Sequence, residues 1–532
     1  MKPPCDEALI RSGSSGSPCA PEAGPWIIAA AILGSSMAFI DSTVVNVALP
    51  ALQSAFHATV VDVQWVVEGY GLFLSALILV GGALGDFWGR RLIFLLGVGI
   101  FAAASAVCGL SSNIEQLIMG RCIQGVGGAL LVPSSLAIIS AHFDEKSRGQ
   151  AIGTWSGFTA ITTAIGPVLG GWLIQHASWH WVFFINLPLA AAVVAISLWH
   201  IPETRNTAAK RIDWTGAAIV TIGLGGVVNG FLESATLGWS HPRVFGSLML
   251  GAACLAIFVL VEATITSPMV PLSVFHSRTF GGANLLTLLL YAALGIFFFL
   301  FPLNLIQVQG YSATATGAAA LPMILLMFFL SRWSGGLLAR YGLRAPLIVG
   351  PLIAAAGFVL FAVFAAGGNY WQTFFPAFVV LGLGMAVSVA PLTTVVMNSV
   401  DQKKSGTASG INNAVARVAG VLAIAVLGVV MVSAFSSSLK HALASLGVSR
   451  DLVREIQANQ IKLAGVELPP GLDPGTSAAI RGAIAQAFTV GFRLIMLICA
   501  SLSVASSAVA WQMISPEPNS ATSYAARAEI TS

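Results

Sequence analysis

The sequence predicts an all-α integral membrane protein of fourteen transmembrane helices, grouped six, two and six. Three observations predict it. The 532 residues are 56% hydrophobic and only 9% charged, against roughly 25% charged in a soluble globular chain. Apolar runs of about 20 residues, the length that spans some 30 Å of hydrocarbon, recur from Trp26 to Trp511. The runs are continuous instead of alternating, which excludes a closed β-barrel. Finally, the chain repeats itself at long range, and the repeat fixes the grouping.

In chain order, residues 1–24 are polar and rich in Gly, Ser and Pro, and read as a cytoplasmic tail without a secretory signal. Six spans follow within 25–200, at about 26–48, 62–84, 92–110, 116–140, 150–176 and 180–200. An inserted pair occupies 201–266, with spans at 213–233 and 246–266. The last six, within 267–512, lie at 279–302, 313–334, 345–366, 371–397, 406–432 and 486–512. A polar stretch, 433–485, separates the final two, and residues 513–532 form a second cytoplasmic tail. In that stretch "DLVREIQANQIKL" suits a short surface helix and "KLAGVELPPGLDPGTS" reads as irregular.

With both termini cytoplasmic, the short inner loops hold Arg90, Arg91, Lys146, Arg148, Arg205, Lys210, Arg211, Arg278, Arg340, Arg344, Lys403 and Lys404, whereas the short outer loops hold only Arg243. That asymmetry is the positive-inside pattern. The net charge of +4 follows from it and forms no nucleic-acid patch. The six cysteines are scattered without CxxC or metal-ligand spacing.

The repeat is parallel. "DEKSRGQAIG" (144–153) returns as "DQKKSGTASG" (401–410), and at the same offset Gly125, Gly127 and Ala129 map onto Gly382, Gly384 and Ala386. "GALGDFWGRR" (82–91) faces "GGLLARYGLR" (335–344). Two halves that begin on the same side leave spans 7 and 8 as an insertion. Parallel six-helix repeats characterise a transporter class whose solute site lies near mid-membrane.

A charge within hydrocarbon costs several kcal/mol and faces a cavity or a partner. Four such residues stand out: Asp41 in span 1, Glu68 in span 2, Arg121 in span 4 and Arg417 in span 13. Gln64, Glu68, Gly71 and Ser75 form one stripe on span 2, and Arg121, Gln124, Gly125, Gly128 and Ser135 another on span 4. At 1.5 Å per residue, Asp41, Glu68 and Arg121 lie roughly 8–14 Å below the outer helix ends. They are expected to meet in one cavity, with Gln64, Trp65, Tyr70 and Gln124 lining it. Two carboxyls near one permanent cation make a proton site that a cationic solute can empty. A static ion pair is the competing reading, and for Trp65 and Tyr70 it is an interfacial aromatic belt. For Arg417 it is hydrogen bonding with Asn412 or Asn413. Glu233, Glu262 and Arg332 sit near span ends and read as snorkelling residues.

Four segments together, "DSTVVNVALP" (41–50), "GALGDFWGRR" (82–91), "RCIQGVGGALLVPSS" (121–135) and "AIGPVLGGWL" (164–173), resemble the major facilitator superfamily, specifically its fourteen-helix drug:proton antiporter branch (EmrB/QacA-type). The resemblance covers nearly the whole chain. It implies a major-facilitator fold of two pseudo-symmetric six-helix bundles, and drug recognition with proton coupling at Asp41, Glu68, Arg121 and Arg417. It implies a cytoplasmic latch at Gly82, Asp86, Gly89, Arg90, Arg91 and Arg148, and the exporters' antiporter motif at Gly157, Gly166, Pro167, Gly170 and Gly171. Close helix packing by small residues is the other reading of those glycines. Phe87 stands where the family commonly has a basic residue, and Ala339 takes the acidic position of the second copy, so any latch is one-sided.

The expected protein is therefore a monomeric exporter in the cytoplasmic membrane, in contact with lipid, that exchanges protons for a lipophilic, cationic drug or toxic compound by alternating access. No P-loop is present, so no cofactor is expected and the proton gradient supplies the energy. A dedicated exporter of one metabolite or self-made antibiotic is the alternative, and a transport-inactive receptor or scaffold a more distant one. No nucleophile, metal or cofactor constellation points to an enzyme.

Overall fold

A computed structural model of the chain describes residues 24–143, 145–205, 213–265, 268, 270–335, 337–365, 368–400, 405–446, 448, 452–454, 456, 460–466, 468 and 472–515. Apolar runs with no water to satisfy their backbone must bond internally, and every regular element among the described residues is a helix, without a strand. In order the helices are α1 (Gly24–Ala55), α2 (Val60–Trp88), α3 (Arg90–Gly109), α4 (Ile114–His142), α5 (Glu145–His176), the single turn α6 (Trp181–Phe184) and α7 (Asn186–His200). Next come α8 (Trp214–Leu237), α9 (Pro242–Thr264), α10 (Arg278–Leu303), α11 (Ala313–Ala319), α12 (Leu321–Gly335) and α13 (Leu337–Tyr341). The last four are α14 (Arg344–Val363), α15 (Phe374–Asn398), α16 (Ser405–Ser445) and α17 (Pro474–Met513).

Thirteen helices among the described residues are long and apolar enough to cross a membrane. They do not include α5, a 32-residue helix in the place of the expected fifth span.

Polar caps mark the turns. Thr59 and Asp62 form a reciprocal capping box at the start of α2, with Thr59 N–H donating to Asp62 Oδ2 at 2.7 Å. Asn113 accepts from Gln116 N–H at 2.8 Å to start α4. Between α2 and α3 there is room for one residue only, Gly89, at φ 129°.

The two helices flanking the 433–485 stretch run beyond their expected ends. α16 has 41 residues and α17 has 40, so each is about 60 Å long, twice the hydrocarbon thickness. Hydropathy falls away at 432, but "VSAFSSSLKHALAS" keeps an apolar face that sustains the helix to Ser445. A 3₁₀ turn, Gln460–Gly465, covers the end of the segment read as a surface helix and the start of the one read as irregular.

The chain divides into two compact units: Met1–Met269 with Phe298–Ala318 and Ile424–Val490, and Val270–Phe297 with Ala319–Ala423 and Gly491–Ser532. In the first, Ile27 and Met37 of α1, Phe94, Val98 and Phe101 of α3, Leu131 of α4 and Val193 of α7 form one buried core. Ser35 bridges α1 to α4 and α5 through Ser135 Oγ (2.7 Å) and Trp155 Nε1 (3.1 Å). α8 pairs closely with α9, where Gly226 meets Gly251. In the second, Phe297, Phe361 and Phe378 cluster with ring centroids 4.8–6.0 Å apart. Within each unit the repeat appears as the same glycine contact. A Cβ on Gly97 would lie 2.9 Å from Gly127 O, and one on Gly350 would lie 3.1 Å from Gly384 O.

Candidate functional site

Inside the first unit, five helices bring polar groups to one dry point. Asp41 of α1 and Arg121 of α4 are 0% and 1% exposed, and Arg121 Nη1 donates to Asp41 Oδ2. The same Nη1 reaches Gln124 Oε1 at 2.6 Å, and Gln124 Nε2 donates back to Asp41 Oδ1 at 2.7 Å. Asn186, at the start of α7, gives the carboxylate its third bond, the second to Asp41 Oδ1, at 3.2 Å. Ser105 of α3 accepts from both amides, at 2.8 Å from Gln124 and 3.1 Å from Asn186.

α2 completes the cage. Arg121 Nε donates to Val66 O at 3.0 Å, and the guanidinium carbon lies 4.3 Å from the Tyr70 ring centroid. The carboxylate thus accepts from three donors, and the arginine has a carboxylate, an amide, a carbonyl and a π face. The ion pair itself is well bonded, as a buried pair must be to be tolerated, while Asn186 Oδ1 at its edge is buried without a partner among the described residues.

Glu68 is not part of it. Its side chain is fully buried, yet neither carboxyl oxygen has a hydrogen-bond partner among the described residues. The expected meeting of Asp41, Glu68 and Arg121 in one cavity is corrected here, and helix phase gives the reason. Val66 and Tyr70, which hold Arg121, are four apart and share a face; Glu68 lies two residues from each, about 200° around the helix. It shares its face with Gln64, whose Nε2 donates to Ile424 O of α16 at 3.3 Å. Depth placed the three charges together, and azimuth separates them.

The correction extends to Tyr70. Tyr70 is buried under Arg121 instead of facing a solute cavity. Trp65 is half-buried. Gln124, expected as cavity lining, is the hub of the network. Ser105 and Asn186 were not singled out by sequence, since a lone Ser or Asn in an apolar span is ordinary.

At one end of the unit, Asp86 pairs with Arg90 four residues on, through Nε at 3.0 Å and Nη2 at 2.8 Å. The loop's firmest partner is Glu203, which sequence did not single out. Its carboxylate accepts from the N–H groups of Arg91 and Leu92, each at 3.0 Å, the natural place for a negative charge at a helix start. Arg91 Nη1 bonds Ile201 O at 2.8 Å, and Arg90 N–H bonds Thr204 O at 3.0 Å. A Cβ on Gly89 would sit 2.6 Å from the Glu203 carboxylate, so this glycine is required by both its φ and its neighbour. Gly82 is less constrained, its nearest such contact being Pro133 at 3.6 Å. The Arg148 side chain lies outside the described residues.

Along α5, Gly166 and Gly170 face α1, where a Cβ would press on Thr43 and come within 2.7 Å of Val44. Gly171 meets the Ala313 backbone of α11, and Pro167 O meets Gly317. The seam is therefore two-sided. Gly157 lies outside the residues whose surroundings are described.

Arg417 lies half-buried on α16 in the second unit. There Asn412 Nδ2 ties α16 to α10 through Asn284 Oδ1 (3.2 Å) and Thr287 Oγ1 (2.7 Å). Glu262 is buried beside Gly216, at the start of α8, and does not snorkel. Among the described residues no three His, Cys, Asp or Glu side chains are placed to hold a metal ion.

Comparison with known proteins agrees with this frame. The family model described as "Major Facilitator Superfamily" matches residues 31–424. Among curated relatives, the "Tetracenomycin C resistance and export protein" of Streptomyces glaucescens is 33% identical over 501 residues, 93% of each chain. The "Multidrug resistance protein Stp" of Mycobacterium tuberculosis (strain CDC 1551 / Oshkosh) is 33% identical over 77% of this chain and 76% of its own. Among solved structures, a bacterial homolog of the human lysosomal transporter Spinster, inward-facing and unoccupied, superposes with a TM-score of 0.62 at 18% identity, over 93% of this chain and 99% of that one.

Proposed function

Because the chain belongs to the major facilitator superfamily, a family of transporters and not of enzymes, we propose that it exports a lipophilic, cationic compound in exchange for protons. One observation carries the reading: Glu68 is a fully buried carboxyl whose oxygens find no partner among the described residues. An ionised carboxylate in that position would cost several kcal/mol, so Glu68 holds a proton while it is unpaired. A cation arriving beside it takes the proton's place, and the released proton couples export to the gradient. Asp41 and Arg121 form the fixed charge centre that sets α1, α2 and α4 around it, with Gln124 as its hub.

In this reading α5 is the fifth of fourteen spans, arranged as six, two and six. Both termini lie on the cytoplasmic side of the cytoplasmic membrane, as the loop charges favour. The two-sided glycine seam of α5 allows sliding against α1 and α11. The hairpin at Gly89, clamped by Glu203 and the Asp86–Arg90 pair, steadies the inner end. The protein works as a monomer embedded in lipid and needs no cofactor beyond the proton gradient.

A second reading is favoured by the relative named for one antibiotic, which matches over 93% of both chains: a dedicated exporter of a single compound. One experiment separates the two. Purified protein in liposomes with an imposed pH gradient is given a panel of lipophilic cations and neutral drugs. Gradient-dependent movement of several unrelated cations supports the broad antiporter, and movement of a single compound supports the dedicated one. Transport of any of them unaffected by a proton uncoupler would refute proton coupling.

A further inference from the structure

At the end of the first unit read above as outer, a segment of the 433–485 stretch lies across the helix ends. We infer that the turn Gln460–Gly465 is a strap closing the exit of the transport path, with Gln53 as its clasp.

Gln53 sits near the end of α1 and is 4% exposed. Its Nε2 donates to Lys462 O at 3.0 Å, while its Oε1 accepts from Gln307 Nε2 at 2.8 Å. Gln307 belongs to a π turn, Asn304–Val308, that follows α10. One amide therefore ties three segments far apart in sequence, and both of its hydrogen bonds must break if they separate. Gly465 packs on the same side chain, where a Cβ would lie 3.1 Å from Gln53 Cδ.

The strap is anchored and strained. Leu463 is 1% exposed although it stands in a polar loop, and its backbone has φ 52° and ψ −129°. A bulky residue at positive φ is a conformational outlier, and such strain persists where surrounding contacts impose it. Burial of this leucine imposes it here, so release of the anchor and relief of the strain favour the same movement.

Beneath the strap is a cavity of about 370 Å³, within the range that holds a drug-sized ligand. Its walls include Val47, Pro50, Ile174, Ile306 and Ala313, and its polar lining is the amides of Gln53 and Gln307 with Ser54 and Lys462. A compartment of this composition suits a lipophilic solute with a hydrogen-bonding group, held before release. The strap and its clasp would govern that release.

The inference rests on the topology and export proposed above, so its test reads strap movement without any solute. In a background lacking the six native cysteines, Ala51→Cys, which lines the cavity, is labelled in intact cells with a membrane-impermeant maleimide. Gln53→Leu removes both clasp bonds and Leu463→Ala removes the anchor. Each is expected to raise the labelling rate about tenfold. In a second variant, Gln53→Cys with Gly465→Cys, oxidation should pin the strap and arrest efflux of tetraphenylphosphonium, and reduction should restore it. Unchanged labelling in both single variants, or undiminished efflux with the cross-link formed, would overturn the strap. Faster labelling confined to inverted vesicles would keep the strap and overturn the topology. Faster labelling in cells that export no cation would keep the strap and overturn the choice of solute.

Discussion

Replacing Arg121 tests whether the buried centre behaves as one unit. Arg121→Ala deletes the bonds to Asp41, Gln124 and Val66 and the contact with Tyr70, and leaves Asp41 in a site that is 0% exposed. Breaking a buried pair from one side costs about 3–5 kcal/mol. Arg121→Lys keeps a charge but loses the Nε bond to Val66, about 1 kcal/mol, and the flat stacking on Tyr70, about 1–2 kcal/mol. A loss of roughly 2–3 kcal/mol is expected for the conservative change. Combining Arg121→Ala with Asp41→Asn removes the stranded charge and should return about 2 kcal/mol. The recovery is partial because Gln124 Oε1 and Val66 O still lack the donors that Arg121 supplied, although one amide oxygen at position 41 can accept from both Gln124 and Asn186. Unfolding of the wild type, Arg121→Ala, Asp41→Asn and the double variant in mixed micelles, followed by tryptophan fluorescence, gives the four free energies of the cycle. Losses that add within about 0.5 kcal/mol would refute the coupling.

Three further outcomes follow from separate contacts. Gly125→Ala would place a Cβ 2.5 Å from Tyr70 O and 3.0 Å from Phe73 Cβ, and should cost about 1–3 kcal/mol by forcing α2 from α4, measured in the same micelle assay. Glu203→Gln keeps the shape but weakens the bonds to Arg91 and Leu92, by about 1 kcal/mol each; hydrogen exchange at those two amides should quicken several-fold with no change at α9. Asp473 caps α17, and hydrogen bonds from the Thr476 hydroxyl and from its N–H (2.8 Å) hold the carboxyl below its ordinary value. Its folded pKa is depressed, so the cap contributes fully above about pH 4 and is lost as pH falls through the folded value. Exchange at the first turn of α17 should rise only on that acid side, and Asp473→Ala should abolish the step.

Much of this arrangement was legible in the residues, and its failures share a cause. Spans showed because hydrocarbon demands long apolar runs. Asp41 and Arg121 showed as a pair because neither charge is tolerated alone there, and Gln124 followed because it lies one turn from Arg121. The misplacement of Glu68 came from reading depth without rotation; its two-residue offset from Val66 and Tyr70 was in the sequence. Ser105, Asn186 and Glu203 could not be picked out, because each acts only through partners brought close by the fold. The ends of α16 and α17 were missed because hydropathy reports where lipid stops, whereas a helix stops where its caps and packing do.

The central claim is that Glu68 carries the exchanged proton and the Asp41–Arg121 centre does not. Proton release on binding measures it directly: purified protein in weakly buffered detergent is mixed with tetraphenylphosphonium, and the pH change is followed with an indicator dye. The account predicts release from the wild type, none from Glu68→Gln although that variant still binds the cation, and release preserved in Asp41→Asn. Undiminished release from Glu68→Gln, or its loss in Asp41→Asn alone, would contradict it.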